Sequence, residues 1–269
     1  MKRTYEIHDL QPYINWAYFY HAWQLHNSEQ QQKSRNEAEQ TLGEIDGSYH
    51  VHALFQLFEA NSDGDDIVLM ATDNHQPITR IPLLRQQFSG SGFLCLSDFI
   101  RPLSSGVTDK IGIFATTVDL GMETDFSQDS YQKMMVQLLA DRLAEAAAEK
   151  LHEEVRRSVW GYAPDEHLSI ADMQAERFQG IRPAVGYPSL PDTSLNFVFD
   201  EILQFKQIGI RLTESGAMKP HASVSGMMMA LPTAHYFSIG KIGEDQLCDY
   251  ASRRGLPIEV VRKFLASNL

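Results

Sequence analysis

The residues best placed to do chemistry lie between Gly180 and Asp192, in the run Gly-Ile-Arg-Pro-Ala-Val-Gly-Tyr-Pro-Ser-Leu-Pro-Asp. Three prolines fix φ and remove three backbone donors, while Gly180 and Gly186 permit turns that other residues resist, so the run is expected to be a stiff, non-regular loop. It carries one guanidinium, Arg182, able to grip a carboxylate with two parallel hydrogen bonds, and one phenol, Tyr187, whose ring face suits a flat ligand. A rigid backbone bearing these two groups suggests recognition of a small molecule with an anionic end. The alternative is a proline-rich connector whose Arg and Tyr cap neighbouring elements.

Other chemistries fit less well. Asp141, Glu145, Glu149 and His152 recur at steps of three and four, so they share one helix face, either meeting a cationic ligand group or simply solvated. His152-Glu153-Glu154 is followed by Arg156 where a zinc protease needs its second His. In Asn61-Ser62-Asp63-Gly64-Asp65 the glycine falls too early for an EF-hand, and Thr72 stands where a bidentate Glu belongs, so a hairpin turn is expected. Phe88-Ser89-Gly90-Ser91-Gly92 lacks the Lys-Ser/Thr ending of a phosphate loop and a third glycine in dinucleotide spacing. Ser223 and Ser225 lack the frame of a nucleophile elbow.

Whole-chain properties narrow the field. The 269 residues carry a net charge of -12, which argues against nucleic-acid binding. Hydrophobic content of 43% and charged content of 22% are those of an ordinary globular protein. Cys95 and Cys248 have no partners at metal-ligand spacing, and no metal site is expected; both are read as buried, inert thiols. With no signal peptide and no apolar run of spanning length, a reducing cytoplasm is the expected location, away from membranes.

These groups must be held by elements legible in the periodicity. The aromatic-rich stretch from Ile7 to Leu25 fits a helix with a wide apolar face, and Ser28 to Gly43 a solvated helix or linker. Short apolar runs between Tyr49 and Leu103, including His52 to Phe58 and Asp66 to Ala71, predict strands, as does Lys110 to Val118. Asp129 to Val159 predicts one long helix, with apolar residues at three- and four-residue steps and no internal Gly or Pro. Leu195 to Ile208 predicts another helix, followed by a small-residue segment from Thr213 to Gly226. Met227 to Met229 and Tyr236 to Ile242 are expected as strands, and Ile258 to Leu265 as a closing helix.

Taken together, Ala140-Asp141-Arg142-Leu143-Ala144-Glu145, Trp160-Gly161-Tyr162-Ala163-Pro164, Gln179-Gly180-Ile181-Arg182-Pro183-Ala184 with Gly186-Tyr187-Pro188, Leu212-Thr213-Glu214-Ser215 and Ala222-Ser223-Val224-Ser225-Gly226 resemble the reactivation (activation) domain of cobalamin-dependent methionine synthase. The resemblance runs from about Leu10 to Leu269 and is weakest between Ser28 and Tyr49. It implies an α+β fold, a bent, largely antiparallel sheet with long helices, formed by residues 1-269 as a single domain with a helical segment of about 1-48 packed on the rest. It also implies that the chain binds S-adenosylmethionine and presents it to oxidised cobalamin on a separate methionine synthase, where one electron from a flavodoxin-type donor and the methyl group restore methylcobalamin.

Carried over position by position, the resemblance gives Arg182 to the ligand's carboxylate end, Ala184 and Tyr236 to the ligand, and Tyr187 with Gly186 to the corrin. Glu145 and Glu176 support the ligand. Phe237 replaces a frequent Tyr, and Asn15 stands where the family has a ligand-binding Asp, so an amide takes the place of a charge. Leu190, Thr193 and Leu195-Asn196 also depart from the more polar family continuation. The Asp-x-His-x-x-Gly cobalamin signature is absent, so this chain alone cannot synthesise methionine. The acidic chain would need a local basic face for an acidic electron donor, and Lys150 with Arg156-Arg157 is the candidate. The alternative function is a non-catalytic module serving another corrinoid methyltransferase.

Overall fold

The computed structural model describes residues 1–71, 76–87 and 92–269. In chain order it comprises β1 (Lys2–Tyr5), α1 (Ile7–Leu10), α2 (Trp16–Ala22), α3 (Ser28–Ile45), β2 (Val51–Asp63), β3 (Asp66–Met70), β4 (Pro77–Pro82) and β5 (Asp109–Val118). Then follow α4 (Gly121–Thr124), α5 (Ser130–Glu154), α6 (Ile170–Gln174), α7 (Leu195–Leu203), β6 (Arg211–Leu212), β7 (Met218–Lys219), β8 (Ser223–Met228), α8 (Glu244–Arg254) and α9 (Ile258–Phe264). The main sheet runs β4-β3-β2-β5-β8, antiparallel at every step, and β1 shares one edge of the long β2 with β3. The small β6-β7 pair stands apart from it. Asp63 pairs with Asp66 across Gly64 and Asp65, the hairpin turn that the acidic run predicted.

Period-two alternation sends side chains to both faces of the sheet, and both are covered. Val51, Ala53 and Phe55 of β2 and Phe114 and Val118 of β5 pack toward α5 and the N-terminal helices, whereas Leu54, Phe58, Ile111 and Ile113 pack toward α7. Ala140, Ala144, Ala147 and Ala148 keep α5 slim where it meets the sheet, so Thr116 reaches across to donate to the Ala144 carbonyl at 2.9 Å. Asp129 caps α5, accepting from the backbone N–H groups of Tyr131 and Gln132. At its far end the helix widens into a π turn over Val155–Val159, completing the long helix expected from Asp129 to Val159.

Five local expectations are corrected. Ile7 to Leu25 is not one helix: Pro12 sits in a 3-10 turn, Gln11–Tyr13, and the helix restarts at Trp16 only after Asn15 caps it. The helix from Leu195 ends at Leu203 because Gln204 takes φ of 53°, and Phe205–Ile208 continues as a 3-10 turn. Tyr236 to Ile242 forms no strand; Ile239 and Ile242 are instead buried against Leu247 and Tyr250 of α8, a helix not anticipated. The strand expected over Met227 to Met229 begins earlier, at Ser223 within the small-residue segment, and ends at Met228. Of the two thiols only Cys95 is buried, its pKa pushed up to about 11 by that burial, and Cys248 is exposed. The glycine-rich reading of residues 88–91, like Thr72, lies outside the described residues.

Candidate functional site

The proline-bearing run after Gly180 does not hang free. Ile181 and Met229 exchange backbone hydrogen bonds at 3.0 Å, Met227 N–H donates to the Pro183 carbonyl at 3.0 Å, and Val185 N–H to the Ser225 carbonyl at 2.9 Å. The run therefore lies along the outer edge of β8 and covers it. Two glycines allow this approach. A Cβ on Gly226 would sit 2.3 Å from the Pro183 carbonyl oxygen, and one on Gly180, whose φ is +83°, would sit 2.1 Å from that of Met229.

Between this edge, α5, the start of α2 and the segment at Tyr236 opens a cavity of about 560 Å³, within the roughly 300–1,000 Å³ range of small-molecule sites. Arg182, Ala184 and Tyr187 line it from the loop, Glu145 from α5, and Asn15 from the start of α2. Glu176, Tyr236 and Phe237 complete the set, so eight of the nine positions carried over by resemblance meet in one place. Gly186 lies in the same loop without lining the cavity, and its φ of +88° makes the turn that carries Tyr187.

Arg182 is the charged centre. Its Nη2 donates to Glu149 Oε2 at 2.9 Å, and its backbone N–H donates to the Tyr236 hydroxyl at 2.9 Å. Burial is the largest single influence and lowers its pKa, but Glu149, Tyr236 and Glu145 together outweigh it, so the pKa is raised and the guanidinium stays charged. Arg182 Nε and Glu149 Oε1 are both buried and have no hydrogen-bond partner among the described residues. The pair is thus joined by one bond where a fork would make two.

Around this pair, Tyr187 donates its hydroxyl to Glu145 while the residue stays 47% exposed at the cavity mouth. Tyr18, 63% exposed, also lines the cavity, with the Arg142 guanidinium 5.6 Å from its ring centre. Glu176 holds φ of +56° just beyond α6, a position where Gly or Asn is usual, and desolvation followed by the nearby Glu149 raises its pKa. The Asn15 amide oxygen accepts from Ala17 N–H at 3.1 Å, so the residue is a helix cap as well as a lining group.

Phe178 lines the cavity and is braced from behind. The His152 ring meets it edge-on at 4.9 Å, and the Arg156 guanidinium lies 4.5 Å from its centre. Arg156 is fully buried and forked onto Glu166, Nε donating to Oε2 at 3.1 Å and Nη2 to Oε1 at 2.7 Å. His152 is fully buried, and burial foremost, then Arg156 and Arg182, hold its pKa well below the usual histidine value. The expected basic face of Lys150, Arg156 and Arg157 is therefore corrected: Arg156 is internal, Arg157 pairs with Glu153 at 3.2 Å, and Lys150 lies 5.2 Å from the Tyr13 ring.

Glu149, Arg142, Phe178 and Tyr18 are lining residues that the site assignment from sequence missed. The helical steps from Arg142 to Glu145 to Glu149 contain the signal, since three and four residues place them on one face. That face is not merely solvated: Glu145 and Glu149 look into the cavity, Asp141 lies 3.7 Å from His221, and His152 is internal. Three carboxylates, Glu145, Glu149 and Glu176, stand against two guanidiniums, Arg142 and Arg182, leaving one net negative charge in the lining. Among the described residues no group of three or more His, Cys, Asp and Glu is arranged to hold a metal, and no helix is long and apolar enough to cross a membrane.

The family model of the vitamin B12 dependent methionine synthase activation domain matches residues 6–255. Among solved structures the chain is similar to a MetH reactivation domain crystallised bound to AdoHcy, with 38% identity and a TM-score of 0.93, covering 100% of this chain and 90% of that one. The mixed fold of helices and antiparallel sheet is the one that relative adopts. With 250 of its residues inside that family model, the chain belongs to the vitamin B12 dependent methionine synthase activation domains.

Proposed function

We propose that the cavity at Arg182 binds S-adenosylmethionine and presents its methyl group to cobalamin carried by a separate methionine synthase, supporting reactivation in methionine biosynthesis. A soluble, cytoplasmic setting with a flavodoxin-type donor of one electron belongs to the same reading. The observation that carries it is the convergence of Arg182, Tyr236, Glu145 and Glu176 on one cavity of suitable volume. A family relative crystallised with AdoHcy supports the same ligand class. At neutral pH the ligand has a sulfonium, an ammonium and a carboxylate, net +1, and the lining offers one net negative charge to match it.

In this reading Arg182 binds the ligand's carboxylate through donors left over from Glu149, and the carboxylates around it face the two positive groups. Tyr18 and Tyr187 at the mouth supply exposed ring faces to a corrin macrocycle. The corrinoid supplies the metal that accepts the methyl group. The sulfonium is already an excellent leaving group, so this chain contributes binding and orientation rather than proton transfer.

Calorimetric titration of the purified chain with S-adenosylmethionine tests the proposal. Saturable heat is expected from the wild type and none from Arg182→Ala. Equal affinity in the two proteins would reject Arg182 as the anchor, and no binding by the wild type would reject the function.

A further inference from the structure

We infer that Glu149 is a specificity determinant that makes the cavity favour the sulfonium ligand over its demethylated thioether, and so promotes product release. The inference rests on the proposed ligand class. It begins from the placement of Glu149 on α5, one of its oxygens 2.9 Å from Arg182 and the other buried with no partner among the described residues. Its side chain is only 17% exposed, so its charge acts through protein more than through water and is weakly screened.

The other two carboxylates of the lining are placed differently. Glu145 is committed to the Tyr187 hydroxyl, and Glu176 is exposed. Glu149 alone stands against the guanidinium that would hold the amino-acid end of the ligand. With that end on Arg182, the sulfur follows a few bonds farther along the ligand, within reach of the Glu149 charge.

Methyl transfer changes the ligand but not the site. The carbon–sulfur bond breaks with its electron pair left on sulfur, the methyl group goes to the corrinoid, and the ligand's charge falls from +1 to 0. A fixed negative charge beside the sulfur therefore holds the donor and loses its attraction for the product. Both ligands carry the same carboxylate, so any effect of Glu149 on the grip of Arg182 cancels in the ratio of the two affinities. What remains in that ratio is the response to the sulfonium charge.

The test is titration of wild type, Glu149→Gln and Glu149→Asp with S-adenosylmethionine and with S-adenosylhomocysteine at low ionic strength. Wild type is expected to prefer the sulfonium form, and Glu149→Gln to lower that preference on the order of tenfold. Gln keeps the shape and an oxygen for Arg182 Nη2, and a thermal melt checks that the variant folds. Glu149→Asp keeps the charge and is expected to keep most of the preference. The inference is overturned if wild type shows no preference, if the glutamine variant matches wild type, or if the aspartate variant falls as far as glutamine. Wild type that binds neither ligand would instead remove the proposed function itself, so the two failures are distinguishable.

Discussion

The backbone N–H of Arg182 donates to the hydroxyl of Tyr236, 2.9 Å away, across 54 residues of sequence. The phenol thereby fastens the edge-lying loop to the irregular segment that follows β8, and its oxygen is engaged before any ligand arrives. Tyr236→Phe keeps the ring but removes the acceptor, leaving a shielded N–H unpaired at a cost of about 1–2 kcal/mol. The expected outcome is a lower denaturant midpoint with an unchanged m-value, together with a several-fold loss of affinity for S-adenosylmethionine because Arg182 is less firmly placed. Full affinity with lowered stability would confine Tyr236 to a role in the fold.

His152 makes a pH-dependent contribution whose sign follows from its burial. The folded chain keeps the ring neutral, with its pKa below the usual value, while in the unfolded chain it titrates near 6.5. Below that pH the unfolded state binds a proton that the folded state refuses, so the stabilisation is complete above about pH 6.5 and is lost as pH falls, by at most about 1.4 kcal/mol per unit. Denaturant unfolding of wild type and His152→Leu at pH 7.5 and 5.5 checks this. The gap between the two proteins is expected to narrow on acidification, and a constant gap would contradict it.

The parts of the site legible in the sequence are those whose constraints are local. Gly180, the prolines and Arg182 announce a stiff, charged loop because φ restriction is written in the residue types themselves. The long helix was equally plain, since its apolar steps run from Tyr131 to Val159 without interruption. Glu149 was visible as a member of a carboxylate stripe, but helical spacing shows only which residues share a face, not what lies opposite. Its partner Arg182 is 33 residues away, on an element brought there by the pairing of Ile181 with Met229. The same limit explains the missing strand at Tyr236 to Ile242. Its apolar residues satisfy burial against Tyr236's neighbours and α8 without a ladder, and a strand-like composition cannot distinguish these outcomes.

Asn15 joins the two kinds of constraint. Its amide oxygen caps α2 through Ala17 N–H, and its side chain lines the cavity in the place where the family resemblance expects an acid. Asn and Asp are about equally good helix caps, so Asn15→Asp should change stability by less than about 0.5 kcal/mol. At the cavity the same change adds a negative charge facing a ligand of net charge +1, and charge-assisted hydrogen bonds are roughly twice as strong as neutral ones. Affinity for S-adenosylmethionine is therefore expected to rise about three- to tenfold, and that for S-adenosylhomocysteine to rise less. Asn15→Ala, which loses the cap, is expected to cost about 1 kcal/mol in stability. Calorimetry paired with denaturant unfolding separates the two roles: unchanged affinity in Asn15→Asp would leave the residue as a cap only, whereas tighter binding at constant stability would show that the amide limits how strongly this chain holds its ligand.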